Sequence, residues 1–291
     1  MNFKNFFKKK HPENTPNTNI FINKSKQEIT EIKKICWINE DKAKIYNDIV
    51  RRDNNLFSKV LLPLYKQYIK STDRILDMGA GTGRLSLAFA EMGCEVVACD
   101  ISPAMLQYIY IYQKDYPKLS TFLGDGENPN FDELGKFDVI TSLWFIPHFP
   151  NWSTFVLQQL KLCKVGGYII FDMANTDNLK LCPKFQPDQT MQHMGYDWYM
   201  HLSKNDLKEF AENSGAVVEA MIPYNFLTRN AIFFNSLSPE EYKIFCKCIG
   251  KLYETPIAAD ALIKFENEIV SKLPYDNTAM NLIVLKKVKE I

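Results

Sequence analysis

A glycine-rich loop between two apolar runs constrains the fold of this 291-residue chain more than any other feature. The apolar runs are short and bounded by glycine, which favours buried strands, and good helix formers separate the loop from the second run. Strand, loop, helix, strand and acid follow one another as residues 75–78, 79–83, 84–92, 95–99 and Asp100. This order predicts the first half of a nucleotide-binding βαβ unit.

Details of the loop discriminate among nucleotide ligands. A dinucleotide fingerprint requires a third glycine where Arg84 stands, and the lysine of a phosphate-binding P-loop is absent. Asp77, two residues before the first glycine, would repel a pyrophosphate but suits a ligand that carries an ammonium group. Asp100 is placed to accept hydrogen bonds from two ribose hydroxyls. A nicotinamide-dependent oxidoreductase remains an alternative on the same βαβ start, and Asp77 and Arg84 argue against it.

Residues 74–107, RILDMGAGTGRLSLAFAEMGCEVVACDISPAMLQ, resemble motif I of the class I S-adenosylmethionine-dependent methyltransferases. The resemblance continues in the acid-containing turn 124–127, the strand 137–144 and the double-glycine turn before residues 168–171. It implies a Rossmann-like α/β fold: a seven-stranded sheet, mostly parallel with an antiparallel last strand, and helices on both faces. It also implies S-adenosylmethionine as the cofactor and S-adenosylhomocysteine as the product.

The family pattern assigns cofactor roles to individual positions of this sequence. It places Asp100 on the ribose, Ile101 and Met105 against the adenine, and Asp125 on the adenine amino group, although an ordinary Asp-Gly turn would also explain Asp125. Tyr46 matches a lid tyrosine near the methionine portion, with simple helix packing as its alternative. The full expected cofactor set is Tyr46, Asp77, Gly79, Ala80, Gly81, Gly83, Asp100, Ile101, Met105, Asp125, Gly126 and Leu143.

Four regions are expected along the chain. Residues 1–22 form a flexible basic leader, 23–70 N-terminal lid helices, 71–175 the S-adenosylmethionine-binding core, and 176–291 a cap insertion with the end of the sheet. The first lid helix is expected to bury an apolar stripe of Ile29, Ile32, Ile35 and Cys36.

Helix signals give the remaining boundaries. Pro63 is expected to bend a helix over 56–69, and Ser102-Pro103 predicts a capped helix that continues to about Tyr116. A capping box predicts a helix over 203–215. Residues 239–253 and 258–272 predict two further helices before a last strand at 280–288.

Candidate catalytic and substrate residues lie after the fourth strand and in the insertion. Because a hydroxyl nucleophile must lose its proton, His148 is a candidate general base, and packing against a proline turn is its alternative role. Trp144, His193, Tyr196 and Trp198 are expected to contact the substrate. The predicted reaction is methyl transfer to an oxygen of a small molecule or glycan. An amine acceptor, or cofactor binding without catalysis, remains open.

Composition excludes several other classes. Lys plus Arg (35) nearly balances Asp plus Glu (34), so no basic field favours nucleic acid. Seven scattered cysteines lack metal-ligand spacing and suit the reducing cytoplasm, so no metal site is expected. Residues 1–10 carry phenylalanines and lysines that fit a weak membrane-surface contact, although a frayed leader would have the same composition.

Overall fold

The fold is built on a central sheet whose strands appear in the order β3-β2-β1-β4-β5-β8-β7. A computed structural model of the chain describes residues 24–50, 55–127, 131–183 and 200–291. The predicted leader and its proposed membrane contact lie outside these residues. The strands are Arg74–Met78 (β1), Glu95–Asp100 (β2), Leu119–Leu123 (β3), Phe137–Ser142 (β4), Cys163–Asn175 (β5), His201–Leu202 (β6), Ala216–Pro223 (β7) and Met280–Lys287 (β8).

Strand direction follows the expected pattern. β1 to β5 pair in parallel, and β8 runs antiparallel to both β5 and β7. The mostly parallel sheet with an antiparallel last strand is therefore confirmed. The two-residue strand β6, which pairs with the end of β5, was not predicted because it lies at the edge of the expected irregular insertion.

Helices cover both faces of the sheet. The α-helices are Lys26–Ile38 (α1), Glu40–Val50 (α2), Leu62–Lys66 (α3), Arg84–Glu91 (α4), Pro103–Tyr110 (α5), Trp152–Leu162 (α6), Thr176–Leu179 (α7), Lys204–Asn213 (α8), Ala231–Ser236 (α9), Pro239–Glu254 (α10) and Pro256–Lys264 (α11). Short 3₁₀ segments are Asp132–Leu134, Ile146–His148, Val270–Lys272 and Tyr275–Asn277, and π-helical turns are Phe57–Leu61 and Phe265–Ile269.

Side-chain alternation along the strands produces two cores. Ile75 belongs to the core under α3, α4 and α5, whereas its neighbour Leu76 belongs to the core under α6 and α8. Because successive strand residues point to opposite faces, a strand buried on both sides reads as a continuous apolar run. This explains why the strands could be recognised as apolar runs in the sequence.

Several predicted helix ends were wrong. The helix that begins at Pro103 ends at Tyr110, and turns replace its expected continuation to Tyr116. The helix expected over 258–272 begins at Pro256 and leaves α geometry after Lys264. Near Pro63, a π-helical turn over Phe57–Leu61 precedes α3, because proline has no N–H to continue the regular i to i−4 ladder.

The caps that the sequence predicted are present. Ser102 Oγ accepts a hydrogen bond from Met105 N–H at 3.3 Å, and Ser203 and Asp206 form a reciprocal capping box. Gly93 adopts a left-handed φ of 89° after α4, as expected of a helix terminator. The four domain boundaries drawn from the sequence stay predictions.

Candidate active site

A cavity of about 430 Å³ lies where β1, β2 and β4 end, at their carboxyl edges. In open α/β sheets this edge is where ligands bind. Eleven of the predicted site residues line the cavity: Tyr46, Gly79, Gly81, Asp100, Ile101, Met105, Asp125, Gly126, Leu143, Trp144 and His148. The structure therefore brings together residues from the lid helices, the glycine loop and the ends of four strands.

The glycine loop gives a ligand access to backbone. Gly79 and Gly81 have left-handed φ angles of 70° and 54°. A Cβ at Gly79 would collide with the Phe145 ring, and one at Gly81 would lie 3.1 Å from Tyr46 Cε1. The left-handed φ favours glycine at both positions, and at Gly79 the space also excludes a side chain. Ala80 and Gly83 belong to the same loop but do not line the cavity.

Backbone N–H groups on two sides hold the Asp100 carboxylate in place. Its Oδ2 accepts a hydrogen bond from Gly81 N–H at 2.8 Å, and its Oδ1 accepts one from Ser102 N–H at 2.9 Å. Burial raises the pKa of this carboxyl, and the backbone N–H groups partly oppose that rise. Each oxygen has lone-pair capacity left for a hydroxyl donor, because an ionised carboxylate has about four acceptor sites.

Asp77 occupies a different place from the one expected. Its carboxylate lies beneath the loop, 2% exposed, and accepts hydrogen bonds from Ser86 Oγ at 2.5 Å and Thr141 Oγ1 at 3.0 Å. Burial raises its pKa to about 6, and these hydrogen bonds oppose the rise. Asp77 therefore ties β1 to α4 and β4 rather than lining the cavity, and a direct cofactor contact stays a prediction.

Asp125 lines the cavity with a partner that the sequence did not reveal. Lys34 Nζ, from α1, lies 2.6 Å from Asp125 Oδ2 and 2.7 Å from Glu127 Oε2. Desolvation lowers the pKa of Lys34, but the two carboxylates outweigh it and the net shift is upward. This ion pair joins the lid helix to the end of β3.

The predicted apolar stripe of α1 was wrong in part: Ile29 is buried and Ile32 and Cys36 are partly buried, but Ile35 is exposed. The buried residues of α1 are Ile29, Thr30, Lys33 and Lys34, whereas Ile35 is 69% exposed. The buried face of the helix therefore carries Lys33 and Lys34 together with Ile29. Hydrophobic periodicity could not find this face, because the burial of Lys34 depends on carboxylates far along the chain.

Trp144 is held in an unusual backbone conformation. It has a φ of 52°, and its N–H donates to Asp172 Oδ1 at 2.6 Å. Tyr224 O–H donates to the other oxygen of Asp172 at 3.1 Å. Burial raises the pKa of Asp172 to about 6, against the effect of these donors. The Arg84 guanidinium lies 4.8 Å from the centre of the Trp144 ring, a cation–π distance.

His148 lies at the end of the 3₁₀ turn Ile146–His148 and lines the cavity. Its ring meets that of Trp37, from α1, edge to face at 5.7 Å. Trp37 in turn meets Tyr46 of α2 at 5.9 Å. The lid helices therefore place aromatic rings beside the candidate base.

The expected substrate contacts differ from the residues that line the cavity after β7. His193, Tyr196 and Trp198 lie outside the described residues. Instead, residues after β7 contribute to the cavity, namely Tyr224, Asn225, Arg229 and Met280. No motif marks these positions, so sequence reasoning missed them.

Among the residues that the structure describes, no helix combines the length and hydropathy that a membrane crossing demands. Nor do the His, Cys, Asp and Glu side chains of the described ranges form a group of three or more suited to hold a metal ion.

The class of the central domain follows from this geometry and from comparison with known proteins. Residues 76–171 match the protein family described as a methyltransferase domain. The glycine loop, the Asp100 site and the order of the sheet agree with that match. Residues 76–171, about a third of the chain, are therefore similar to methyltransferase domains.

Individual relatives are similar to part of the chain. The chain is 27% identical over 178 residues to the ubiquinone biosynthesis O-methyltransferase of Alkalilimnicola ehrlichii. It is 30% identical over 103 residues to the protein of the same description from Proteus mirabilis. These alignments cover 54% and 35% of this chain and 66% and 42% of the relatives, so the chain spans less than two thirds of their length.

A solved structure shows the same fold over a longer span. The 1,6-didemethyltoxoflavin-N1-methyltransferase of Burkholderia thailandensis, with 1,6-didemethyltoxoflavin and S-adenosylhomocysteine bound, superposes with a TM-score of 0.55 at 11% identity. The match covers 91% of this chain and 92% of that one. The similarity therefore extends beyond the central domain.

Proposed function

We propose that this chain transfers a methyl group from S-adenosylmethionine to an oxygen of a small molecule or glycan. One observation carries the proposal: the glycine loop, Asp100 and Asp125 converge on the same cavity as His148 and Trp144. Residues predicted to bind the cofactor and residues predicted to bind the acceptor line one cavity, which supports the proposal. The curated relatives are described as O-methyltransferases, which supports oxygen as the acceptor.

The residues present fit the cofactor. Asp100 would accept hydrogen bonds from the ribose hydroxyls, and Ile101 and Met105 would pack on the adenine. The backbone at Gly79 and Gly81, which carries no side chain, would contact the methionine portion of the cofactor. Asp125 would accept a hydrogen bond from the adenine amino group, through carboxylate lone pairs that the ion pair with Lys34 does not use. When bound, S-adenosylmethionine supplies a methyl group activated by a sulfonium sulfur.

Residues of the chain itself would align the acceptor with the methyl group, exclude water from the cavity and remove a proton from the acceptor. Trp37 and Tyr46 from the lid and Phe145 from the core close the cavity with apolar surface. Holding a nucleophile in line with a reacting group can lower a barrier by about 7–11 kcal/mol. His148 would accept the hydroxyl proton of the acceptor, since the pKa of an ordinary imidazole lies near neutrality.

A nitrogen acceptor is the second candidate. The aromatic surface of Trp144 and Tyr224 would hold a neutral amine as readily as a phenol. The structural neighbour from Burkholderia thailandensis is described as an N1-methyltransferase, so this fold accommodates nitrogen acceptors. Such an acceptor would need no general base when its nitrogen is already neutral.

Location in the cytoplasm completes the proposal. All seven cysteines are free thiols, four of them buried, which suits a reducing compartment.

Two measurements test the proposed function. Isothermal titration of the full chain with S-adenosylhomocysteine and with NAD should show binding of the first alone. The chain, methyl-labelled S-adenosylmethionine and extract fractions should then give label in the small-molecule or glycan fraction. Label in protein or RNA would contradict the acceptor class, and binding with no label anywhere would favour a non-catalytic role.

A further inference from the structure

Trp144, the second residue after β4, has a backbone conformation that a tryptophan rarely adopts. Its φ of 52° lies in the left-handed region, where Cβ crowds the backbone, and the residue lines the cavity. A residue other than glycine keeps such a conformation only where its surroundings hold it in place. The contacts around Trp144 therefore indicate which groups determine the shape of this part of the cavity wall.

The end of β4 is held from two sides just before Trp144. Tyr65 O–H, from α3, donates to the carbonyl oxygen of Ser142 at 3.0 Å. Gln159 Nε2, from α6, donates to Ser142 Oγ at 3.0 Å. Because α3 and α6 cover opposite faces of the sheet, the last residue of β4 is fixed and the chain leaves the strand from a defined point.

Asp172 holds the next part of this wall. It lies on β5, beside β4, and none of its surface is exposed. Its Oδ1 accepts the hydrogen bond from Trp144 N–H at 2.6 Å, and its Oδ2 accepts the one from Tyr224 O–H at 3.1 Å. Hydrogen bonds to an ionised carboxylate are among the stronger ones in proteins, so Asp172 offsets the strain at Trp144.

The two donors belong to different parts of the cavity wall. Trp144 belongs to the loop after β4, whereas Tyr224 follows β7, and both residues line the cavity. Asp172 does not line it. One buried carboxylate therefore joins two aromatic residues of the wall and would act on a ligand only through them.

The Trp144 ring is supported as well as its backbone. The Arg84 guanidinium, from the first turn of α4, lies 4.8 Å from the centre of the Trp144 ring and 5.0 Å from that of Phe57. Both are cation–π distances. The indole is therefore fixed from the side of α4, while Asp172 fixes its backbone.

The segment between β7 and α9, which carries Tyr224 and Arg229, is also held in place. Glu266 is 1% exposed, and its two oxygens accept hydrogen bonds from Asn225 N–H at 2.8 Å and Phe226 N–H at 2.9 Å. Residues whose own positions are locked by such contacts can hold a ligand in one geometry. Tyr224 thus starts from a fixed backbone when it binds Asp172.

We infer, on the basis of the proposed methyl transfer, that Asp172 is a positioning residue for the methyl acceptor. By fixing Trp144 and Tyr224, it determines where the aromatic wall holds the acceptor relative to His148 and the methyl donor. Methyl transfer depends on alignment of the reacting atoms, and a misplacement of about 1 Å can cost about 10²-fold in rate. Asp172 should therefore affect the acceptor and not the cofactor, whose predicted ribose and adenine contacts lie at the ends of β2 and β3.

The test compares two substitutions of Asp172 with a matched substitution of Asp177. Asp172→Ala removes both hydrogen bonds, whereas Asp172→Asn keeps one acceptor oxygen for the Trp144 amide. Asp177→Ala is the control, because Asp177 Oδ2 also accepts from a backbone N–H, that of Lys204 at 3.0 Å, and from a tyrosine hydroxyl, that of Tyr275 at 2.9 Å. None of these three residues lines the cavity.

Three measurements are made on each full chain. Titration calorimetry gives the affinity for S-adenosylhomocysteine. Label transfer from methyl-labelled S-adenosylmethionine to a dilution series of the small-molecule or glycan fraction of extract gives the rate at limiting acceptor. Nuclear magnetic resonance of chains labelled with nitrogen-15 tryptophan reports the backbone amide of Trp144, which is assigned because its signal is missing from Trp144→Phe.

Asp172→Ala should lower the rate at limiting acceptor about 100-fold and bind S-adenosylhomocysteine like the parent. Asp172→Asn should recover part of that loss and remain about tenfold below the parent, the size of one hydrogen bond to a charged group. The Trp144 amide proton, which a carboxylate shifts downfield, should move upfield in both variants, further in Asp172→Ala. Asp177→Ala should match the parent in all three measurements. If Asp172→Ala does not fold, Asp172→Asn decides the comparison.

Four results would overturn the positioning role. They are a rate in Asp172→Asn equal to that of the parent, a loss of affinity for S-adenosylhomocysteine as large as the loss of rate, an unmoved Trp144 amide, and an equal loss of rate in Asp177→Ala. The last of these would mean that any lost buried contact lowers the rate.

Failure of the underlying function has a separate signature in the parent chain. No label in either fraction, or no binding of S-adenosylhomocysteine, would refute the proposed function and the role of Asp172 with it. Label transferred by the parent and at the same rate by Asp172→Ala would refute only the positioning role.

Discussion

Three carboxylates near the site, two of them buried and one partly exposed, have different roles because their hydrogen-bond donors differ. Asp100 receives backbone N–H groups and remains on the cavity wall, whereas Asp77 is enclosed by the hydroxyls of Ser86 and Thr141. Asp172 fixes Trp144 in its left-handed conformation. The role of each carboxylate therefore depends on its nearest hydrogen-bond donors and not on its position at a strand end.

Removing the charge of Asp100 should weaken cofactor binding without unfolding the domain. In Asp100→Asn, one acceptor oxygen remains for the backbone, but the charged acceptor for the ribose is lost. We expect the affinity for S-adenosylhomocysteine, measured by titration calorimetry, to fall about 100-fold. Asp115→Asn, an exposed change in the turns after α5, is the control. Unchanged affinity in Asp100→Asn would show that the ribose site lies elsewhere.

His148→Gln should lower turnover while the cofactor still binds. Loss of a general base typically costs about 10²- to 10⁴-fold in rate. The rate is followed as label transferred from methyl-labelled S-adenosylmethionine to the acceptor fraction. His201→Gln is the matched control, because His201 lies on β6 beside Thr176 and does not line the cavity. Equal turnover in His148→Gln and the parent would remove His148 from the mechanism.

At the scale of elements, the lid is joined to the core by polar contacts as well as by packing. Lys34 of α1 binds Asp125 and Glu127, and Thr30 Oγ1 donates to Asn151 Oδ1 at 2.8 Å. Both contacts link α1 to loops at the carboxyl edge of the sheet. The position of the lid therefore depends on the same turn that carries a predicted adenine contact.

Lys34→Met should loosen α1. The change leaves two partly buried carboxylates, 29% and 15% exposed, without their cation. Allowing for solvent screening, we expect a loss of about 1–3 kcal/mol in the docking free energy of the helix. Hydrogen exchange of Lys26–Ile38, followed by mass spectrometry, should accelerate in proportion.

Lys24→Met is the matched control for that experiment. The Lys24 ammonium lies 3.9 Å from Glu28, and the two side chains are 33% and 57% exposed. Because water screens such an exposed pair, its loss should leave the exchange of α1 nearly unchanged. Similar exchange in the two variants would mean that packing alone holds the lid.

For the molecule as a whole, local signals predicted the fold better than the site. The glycine loop, the strand ends and Asp100 are encoded within a few dozen residues, so spacing alone located them. Lys34 and Asp125 are 91 positions apart, and Glu266 lies 41 positions from the amide it binds. Contacts between residues this far apart along the chain leave no periodic pattern in the sequence. Lys34, Arg229 and Glu266 were not predicted for this reason.

The buried carboxyls also determine how the stability of the whole molecule varies with pH. Burial raises the pKa of Glu266 to about 7 and those of Asp77 and Asp172 to about 6. The folded state therefore holds these protons after the unfolded chain has released them. Their contribution is fully present below the unfolded pKa values near 4 and is lost as the pH rises through the folded values.

Glu266→Gln should remove part of this pH dependence. A rise from 4.5 to about 7 corresponds to about 3 kcal/mol of stability lost between pH 4.5 and 7. Urea unfolding at intervals from pH 5 to 7.5 should show the free energy of unfolding of the parent falling more steeply than that of Glu266→Gln. Glu268→Gln, an exposed change two residues away, should follow the parent. Parallel curves for the parent and Glu266→Gln would mean that this carboxyl is already ionised in the folded state, and that the segment carrying Arg229 is held by a charged group.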